Sequence, residues 1–240
     1  MSEESKNVLI ATLGESQAVI QEAVFKLTCE GKILGKVLVL FTNGVENQKN
    51  NFSDYLRYTL HYSTNDGIKF HISENTPKLC DDKQNPCALP KSYEFIAIDA
   101  EDVEADTEEI IENSIYYYIL KEVINEKNVV YVLIAGGRKN ESAVGYSAGL
   151  FFGAEEIIHV LPKKGFDENK INIFIGIANA QNELKEELKK YDLIRMQKID
   201  SVSLLFKIAF RKRFLIDISK IESDEESKKF EIRGEKKKYS

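Results

Sequence analysis

Two short stretches hold residues that could do chemistry together. Gly136-Gly137-Arg138-Lys139 joins two glycines to two cations, and Leu13-Gly14-Glu15-Ser16 joins a glycine to a hydroxyl. Glycines let the backbone turn sharply and let a ligand approach the main chain. Each stretch follows a mainly apolar run, Val129 to Ala135 in one case and Asn7 to Thr12 in the other, and each precedes a helical pattern. Unpaired amides, the positive end of a helix dipole and side-chain cations would meet at such a turn, so the expected ligand is an anion. If the two strands lie close together at the carboxyl edge of one sheet, Ser16 and Lys139 come within reach of the same ligand.

The elements that must position these turns can be read from apolar spacing. Val19, Ile20, Ala23, Val24 and Leu27 recur at helical intervals up to a stop at Gly31. Lys36 to Phe41 is a second strand ending in Thr42-Asn43-Gly44, Phe52 to Leu60 suggests a helix, and Ile68 to Ile72 a third strand. Residues 73 to 92 hold three of the four prolines and read as a long loop. Tyr93 to Ile98 is a fourth strand, and Ile111, Ile115, Ile119 and Val123 mark one face of a long helix. After Lys139, Gly145, Gly149 and Gly153 stand four apart along a helix. Interior glycines there cost roughly 2 kcal/mol against alanine, so close packing on a neighbour must offset them. Glu156 to Leu161 is another strand, Ile171 to Ala178 a further apolar run, and Gln181 to about Tyr191 a charged helix.

Strands alternating with helices predict an α/β fold, a Rossmann-like sheet that is mostly parallel with helices on both faces. The expected organisation is one domain over residues 1–200. A C-terminal extension over 201–240 follows, with apolar stretches at Val202 to Ala209 and Phe214 to Ile218 and a basic tail.

Several common chemistries fit poorly. Neither glycine turn has the G-x-G-x-x-G spacing of nicotinamide-cofactor proteins, no G-x-x-x-x-G-K-[ST] occurs, and no cofactor is expected. A serine hydrolase is a rival, since Gly14-Glu15-Ser16-Gln17-Ala18 is one residue short of G-x-S-x-G. His159, the histidine in the required order, sits among Ile157, Ile158, Val160 and Leu161 as in the middle of a strand. Arg57 and His61 share a helix at i, i+4, a spacing simply explained as surface neighbours. Asp99, Glu101 and Asp102 could hold a metal in principle, yet no histidine or second acidic cluster joins them, and capping or base recognition suits them better.

A net charge of -6 argues against a general nucleic-acid binder, and no double-stranded DNA partner is expected. Asp99 to Glu112 carries eight acids and no base, and Lys228 to Ser240 six bases and two acids. These read as a solvated face and a frayed tail. No apolar run approaches the roughly 18 residues of a membrane span, and the N-terminus lacks an apolar signal core, so a cytoplasmic protein with no membrane partner is expected. Cys29, Cys80 and Cys87 form no C-x-x-C pair and read as free thiols.

Ile10-Ala11-Thr12-Leu13-Gly14-Glu15-Ser16-Gln17, together with Ile134-Ala135-Gly136-Gly137-Arg138-Lys139, resembles the CRISPR-associated Rossmann-fold (CARF) family, in particular its ring-nuclease and Csm6-like branch of NE0113 type. The first strand there ends in a T-L-G-x-S-P type of turn and a later one in S-G-G-R-K. Gln17 stands here where proline is common, and Ala135 where serine is. Ile98-Asp99-Ala100-Glu101-Asp102 is similar to the acidic stretch after the fourth strand. The resemblance covers about residues 7 to 165. It implies a homodimer that binds cyclic oligoadenylate, the second messenger of type III CRISPR immunity, across its two-fold axis.

In members that cleave the ring, a ribose 2'-hydroxyl attacks the neighbouring phosphate without metal. By that resemblance Lys139 stabilises charge and Ser16 gives a positioning hydrogen bond. Thr12, Gly14, Glu15, Gln17, Asn43, Asp102, Gly136, Gly137, Arg138 and Asn140 would contact the ligand. Two readings stay open: a ring nuclease that ends the signal, and a sensor that binds the ring without cutting it.

Overall fold

The computed structural model describes residues 6–76, 79–80, 86–100, 105–162 and 191–196. The chain opens with β1 (Asn7–Thr12), α1 (Ala18–Cys29) and β2 (Leu34–Thr42). Helix α2 (Glu46–Asp54) follows and runs into a π turn at Tyr55–Thr59. Four short strands come next, β3 (Ser63–Thr64), β4 (Lys69–His71), β5 (Leu79–Cys80) and β6 (Pro86–Cys87), then β7 (Ser92–Ile98). Helix α3 (Ala105–Leu120) ends in a second π turn, Lys121–Asn125, and leads to β8 (Val129–Leu133), α4 (Lys139–Phe152), β9 (Glu156–Pro162) and β10 (Tyr191–Met196).

Eight strands form one sheet in the order β10-β9-β8-β1-β2-β7-β4-β3. The five central strands, β9 to β7 in that order, run parallel, while β10, β4 and β3 pair antiparallel at the edges. The fold is therefore the expected Rossmann-like α/β sheet. Its order decides where a ligand can sit. From β1 the chain winds outward through β2 to β7, then returns to place β8 on the other side of β1. The crevice between β1 and β8 is the topological switch point, where open parallel sheets bind ligands.

The strand alternation divides the core in two. Leu9 and Ala11 of β1, with Val37 and Val39 of β2, face α1 through Ile20, Ala23, Val24 and Leu27. Val8 and Ile10, with Leu38 and Leu40, face the other way onto Ile111, Ile115 and Ile119 of α3 and Val144, Ala148 and Phe152 of α4. The glycine stripe has the expected cause. A Cβ at Gly149 would come within 3.1 Å of Ile157, and one at Gly145 within 3.6 Å of Val132 and Ile134, so α4 lies close on β8 and β9. Gly153 is the left-handed C-cap of α4.

Three expectations change. The long loop over residues 73 to 92 contains β5 and β6, an antiparallel pair, and ends where β7 begins at Ser92. Tyr191, expected to close a helix, opens strand β10, which pairs with β9 from Tyr191↔Pro162 to Met196↔Ile157. Cys29 is disulfide-bonded, not a free thiol. It closes α1, a helix packed against β6, and a pairing made by tertiary contact leaves no trace in local spacing. The run Ile171 to Ala178, residues 181–190 and the extension over 201–240 lie outside the described residues. None of the described helices is long and apolar enough to cross a membrane.

Candidate functional site

The parallel register pairs Ala11 of β1 with Leu133 of β8, so the two glycine turns leave neighbouring strands side by side at the carboxyl edge. They interlock. A Cβ at Gly14 would overlap the Gly136 carbonyl oxygen. Gly136 has φ +103, a backbone region L side chains avoid, and a Cβ there would sit 2.6 Å from Val19. A Cβ at Gly137 would overlap both Thr12 Oγ1 and Glu141 Oε2. Backbone against backbone requires Gly14, positive φ and Val19 require Gly136, and the Thr12 and Glu141 side chains require Gly137.

Arg138 is the N-cap of α4 in extended geometry (φ -70, ψ 163), and Lys139 is the first residue of the helix. Both side chains are exposed, while Gly136, Gly137 and Asn140 are half-buried. On the opposite turn Glu15 is exposed, Ser16 half-buried and Gly14 buried. Ser16 does not cap α1. Gln17 occupies that position, without a side-chain capping bond. The structure thus brings together Thr12, Gly14, Glu15, Ser16, Gln17, Gly136, Gly137, Arg138, Lys139 and Asn140 around one crevice.

Polar atoms here are left without partners. Ser16 Oγ and Gln17 Oε1 are enclosed and close no hydrogen bond in the protein, and the enclosed Thr12 Oγ1 has only the Glu141 carboxylate beside it. Most enclosed polar atoms find a partner, so two orphans on a single turn are unusual. Asn43 lies further along the same edge, exposed at the end of β2, where its backbone N–H donates to the Ala100 carbonyl at 3.1 Å and ties β2 to the end of β7. Asn140 is turned partly aside, its Nδ2 donating to Glu108 Oε1 of α3 at 3.4 Å. Asp102 lies outside the described residues.

Glu141 is the residue whose part the sequence did not show. Only 5% exposed, it sits at the third position of α4 and accepts the Arg138 backbone N–H on Oε2 at 3.1 Å. Burial pushes its carboxyl above the ordinary range, against the pull of the Arg138 N–H, the Arg138 charge and the nearby Thr12 hydroxyl. An N-cap followed three residues later by glutamate is a capping-box spacing, the signal that could have found it.

The sequence matches the model of the CRISPR-associated protein NE0113 family over residues 16–229. The chain belongs to that family. The match to the NE0113 family takes in Ser16 and the whole Gly136–Lys139 turn, while Gly14 precedes it. No curated protein matches the chain.

Solved structures similar to it include Csm6 from Enterococcus italicus bound to cyclic hexa-2'-fluoro-hexa-dAMP, at 11% identity and a TM-score of 0.48, over 91% of this chain and 48% of that one. Protein VC1899 from Vibrio cholerae aligns at 10% identity and TM-score 0.43, over 66% of this chain and 31% of that one. Can2 from Sulfobacillus thermosulfidooxidans in complex with cyclic tetra-adenylate aligns at 11% and 0.37, over 64% and 31%. The chain spans less than half the length of each of these proteins.

Proposed function

We propose that the protein is a ring nuclease: a homodimer that binds cyclic tetra-adenylate across its two-fold axis and cleaves it, ending type III CRISPR signalling in the cytoplasm. The observation that carries the reading is the pair of interlocked glycine turns at the switch point, with orphan oxygens on one and exposed cations on the other. Membership of a CRISPR-associated family and the likeness of both turns to CARF motifs support it. Two subunits would present two copies of Arg138 and Lys139 and the helix N-termini behind them to one ring of phosphates, so an acidic protein can hold a polyanion.

Cleavage needs the attacking 2'-oxygen, the phosphorus and the leaving 5'-oxygen in line, with the added charge on the phosphoryl oxygens balanced. The 2'-oxygen forms the new bond and loses its proton, the bond to the 5'-oxygen breaks, and that oxygen is protonated. The product is linear with a 2',3'-cyclic phosphate, and no water is consumed. Lys139 stabilises the phosphoryl charge and Ser16 positions the ribose or phosphate. Gly14, Gly136 and Gly137 offer backbone contacts.

The test is incubation of purified protein with cyclic tetra-adenylate and cyclic hexa-adenylate in chelator, followed by chromatography. Linear products are expected. Intact ring with tight binding would replace the nuclease by a sensor that passes the signal to another protein or through residues 201–240. A monomer by light scattering in the presence of ligand would undo the shared site.

A further inference from the structure

The proposed phosphate cradle contains a buried negative charge, which a generic anion site would not. The Glu141 carboxylate lies directly beneath the turn. Its Oε2 and Thr12 Oγ1 converge on the same side of the Gly137 Cα, close enough that an added Cβ would overlap both. Its bond with the Arg138 N–H occupies an amide that a helix start otherwise offers to a phosphate. Thr12 is 7% exposed, and its hydroxyl stands beside the carboxylate and pulls against the rise that burial causes.

Among the described residues, few charges face Glu141. Arg138 does so from its own helix, and the uncharged Thr12 from β1. The β8 and β9 residues packed on α4 are apolar, Val132, Ile134 and Ile157. From α3, Glu108 reaches Asn140, the residue before it, and adds charge of the same sign. A buried carboxylate is screened far less than exposed Glu15, so its field acts on any anion bound above it.

We infer that Glu141 couples ligand binding to proton uptake: ring phosphates bind tightly when its carboxyl is protonated, and ionised Glu141 weakens them. The inference rests on reading Gly136–Lys139 as the phosphate cradle. Its sign is fixed. A bound anion raises the carboxyl further, so affinity is highest at low pH and falls as pH climbs through a window above the ordinary carboxylate value of 4.5. Glu141 is a positioning and charge-setting residue; no contact with the reacting atoms is assigned to it.

The experiment compares the full-length wild type with Glu141→Gln, which keeps an acceptor for the Arg138 N–H but cannot ionise. Binding of cyclic tetra-adenylate and, separately, of inorganic tripolyphosphate is titrated between about pH 5 and 8, with calorimetry in two buffers of different ionisation heat to count protons. Wild-type affinity should fall roughly tenfold across the range, as expected for one added charge near the phosphates. Glu141→Gln should stay flat at the tighter value and take up no proton. Glu141→Asp, which restores the charge, should restore the pH dependence.

A Glu141→Gln protein that melts like the wild type but shows the same pH slope, or binds neither ligand more tightly at high pH, overturns the inference. Tripolyphosphate binding with the expected slope but no ring binding would retain Glu141 and sink the oligoadenylate reading. Ring binding without any slope would do the reverse.

Discussion

The two edges of the central sheet treat polar side chains in opposite ways. At the amino edge most are matched, although Glu156 keeps one enclosed oxygen, Oε2, outside any hydrogen bond. Lys36 Nζ lies 2.6 Å from Glu122 Oε1, and Asn128 Nδ2 donates to Glu122 Oε2 at 2.7 Å. Lys32 pairs with Glu156 and stands 5.0 Å from the centre of the Tyr131 ring. At the carboxyl edge Ser16 and Gln17 each enclose an oxygen that closes no hydrogen bond, and Arg138 and Lys139 are exposed. Burying a polar group without a partner costs stability, and burying a charge costs more. One edge settles its buried charges mainly through ion pairs, while the other leaves the oxygens of one turn open, so the difference separates stability from ligand binding within a single sheet.

The largest effect is expected where matching is tightest. Lys36→Ala leaves Glu122, 2% exposed, with Asn128 but no counter-charge among the described residues. Breaking a buried pair from one side costs about 3 kcal/mol, the lower end of the usual range because Lys36 itself is partly exposed. Thermal or urea unfolding should register the whole loss, and ring cleavage per folded molecule should stay as it was. A variant that unfolds like the wild type would remove the contrast between the edges.

Lys139→Ala should behave in the opposite way. The side chain is exposed at the first position of α4, so stability should stay within about 0.5 kcal/mol of the wild type. Cleavage of cyclic tetra-adenylate should fall about a hundredfold, the scale of losing one charge stabiliser in a transition state. Single-turnover rates measured beside melting curves decide the matter. An insoluble or unfolded variant would show that Lys139 belongs to the fold.

Which parts of this were legible beforehand follows from how local each cause is. Apolar runs and glycine turns are written in a few consecutive positions, so β1, β2, β7, β8 and both turns stood in the sequence. Their adjacency was only a possibility of a Rossmann-like topology until the order of the sheet placed β8 beside β1. Effects made by distant segments were not visible. The Cys29 disulfide joins partners set by tertiary contact, and β10 opens at Tyr191, where the spacing predicts the end of a charged helix. Glu141 looks like an ordinary first-turn acid until β1 is seen to lie against it. Ser16 shows the same limit from the other side. Strand, glycine and serine suggest an N-cap, but the chain takes one more residue before α1 begins and leaves the hydroxyl inside the turn.

Ser16→Ala therefore gives the finest test of the contrast. If Ser16 were a helix cap, the change would cost about 1 kcal/mol of stability. Because Oγ closes no bond and is enclosed, its removal also removes a desolvation cost, and melting should be unchanged or slightly higher. Its proposed work is one positioning hydrogen bond to the ring, worth roughly tenfold in kcat/KM, since a neutral hydrogen bond contributes on the order of 1 kcal/mol. Affinity should fall less than the rate, as expected if the bond strengthens on the way to the transition state. Lower stability with unchanged cleavage would move Ser16 to the matched, structural side of the molecule and leave Lys139 as the proposed catalytic group.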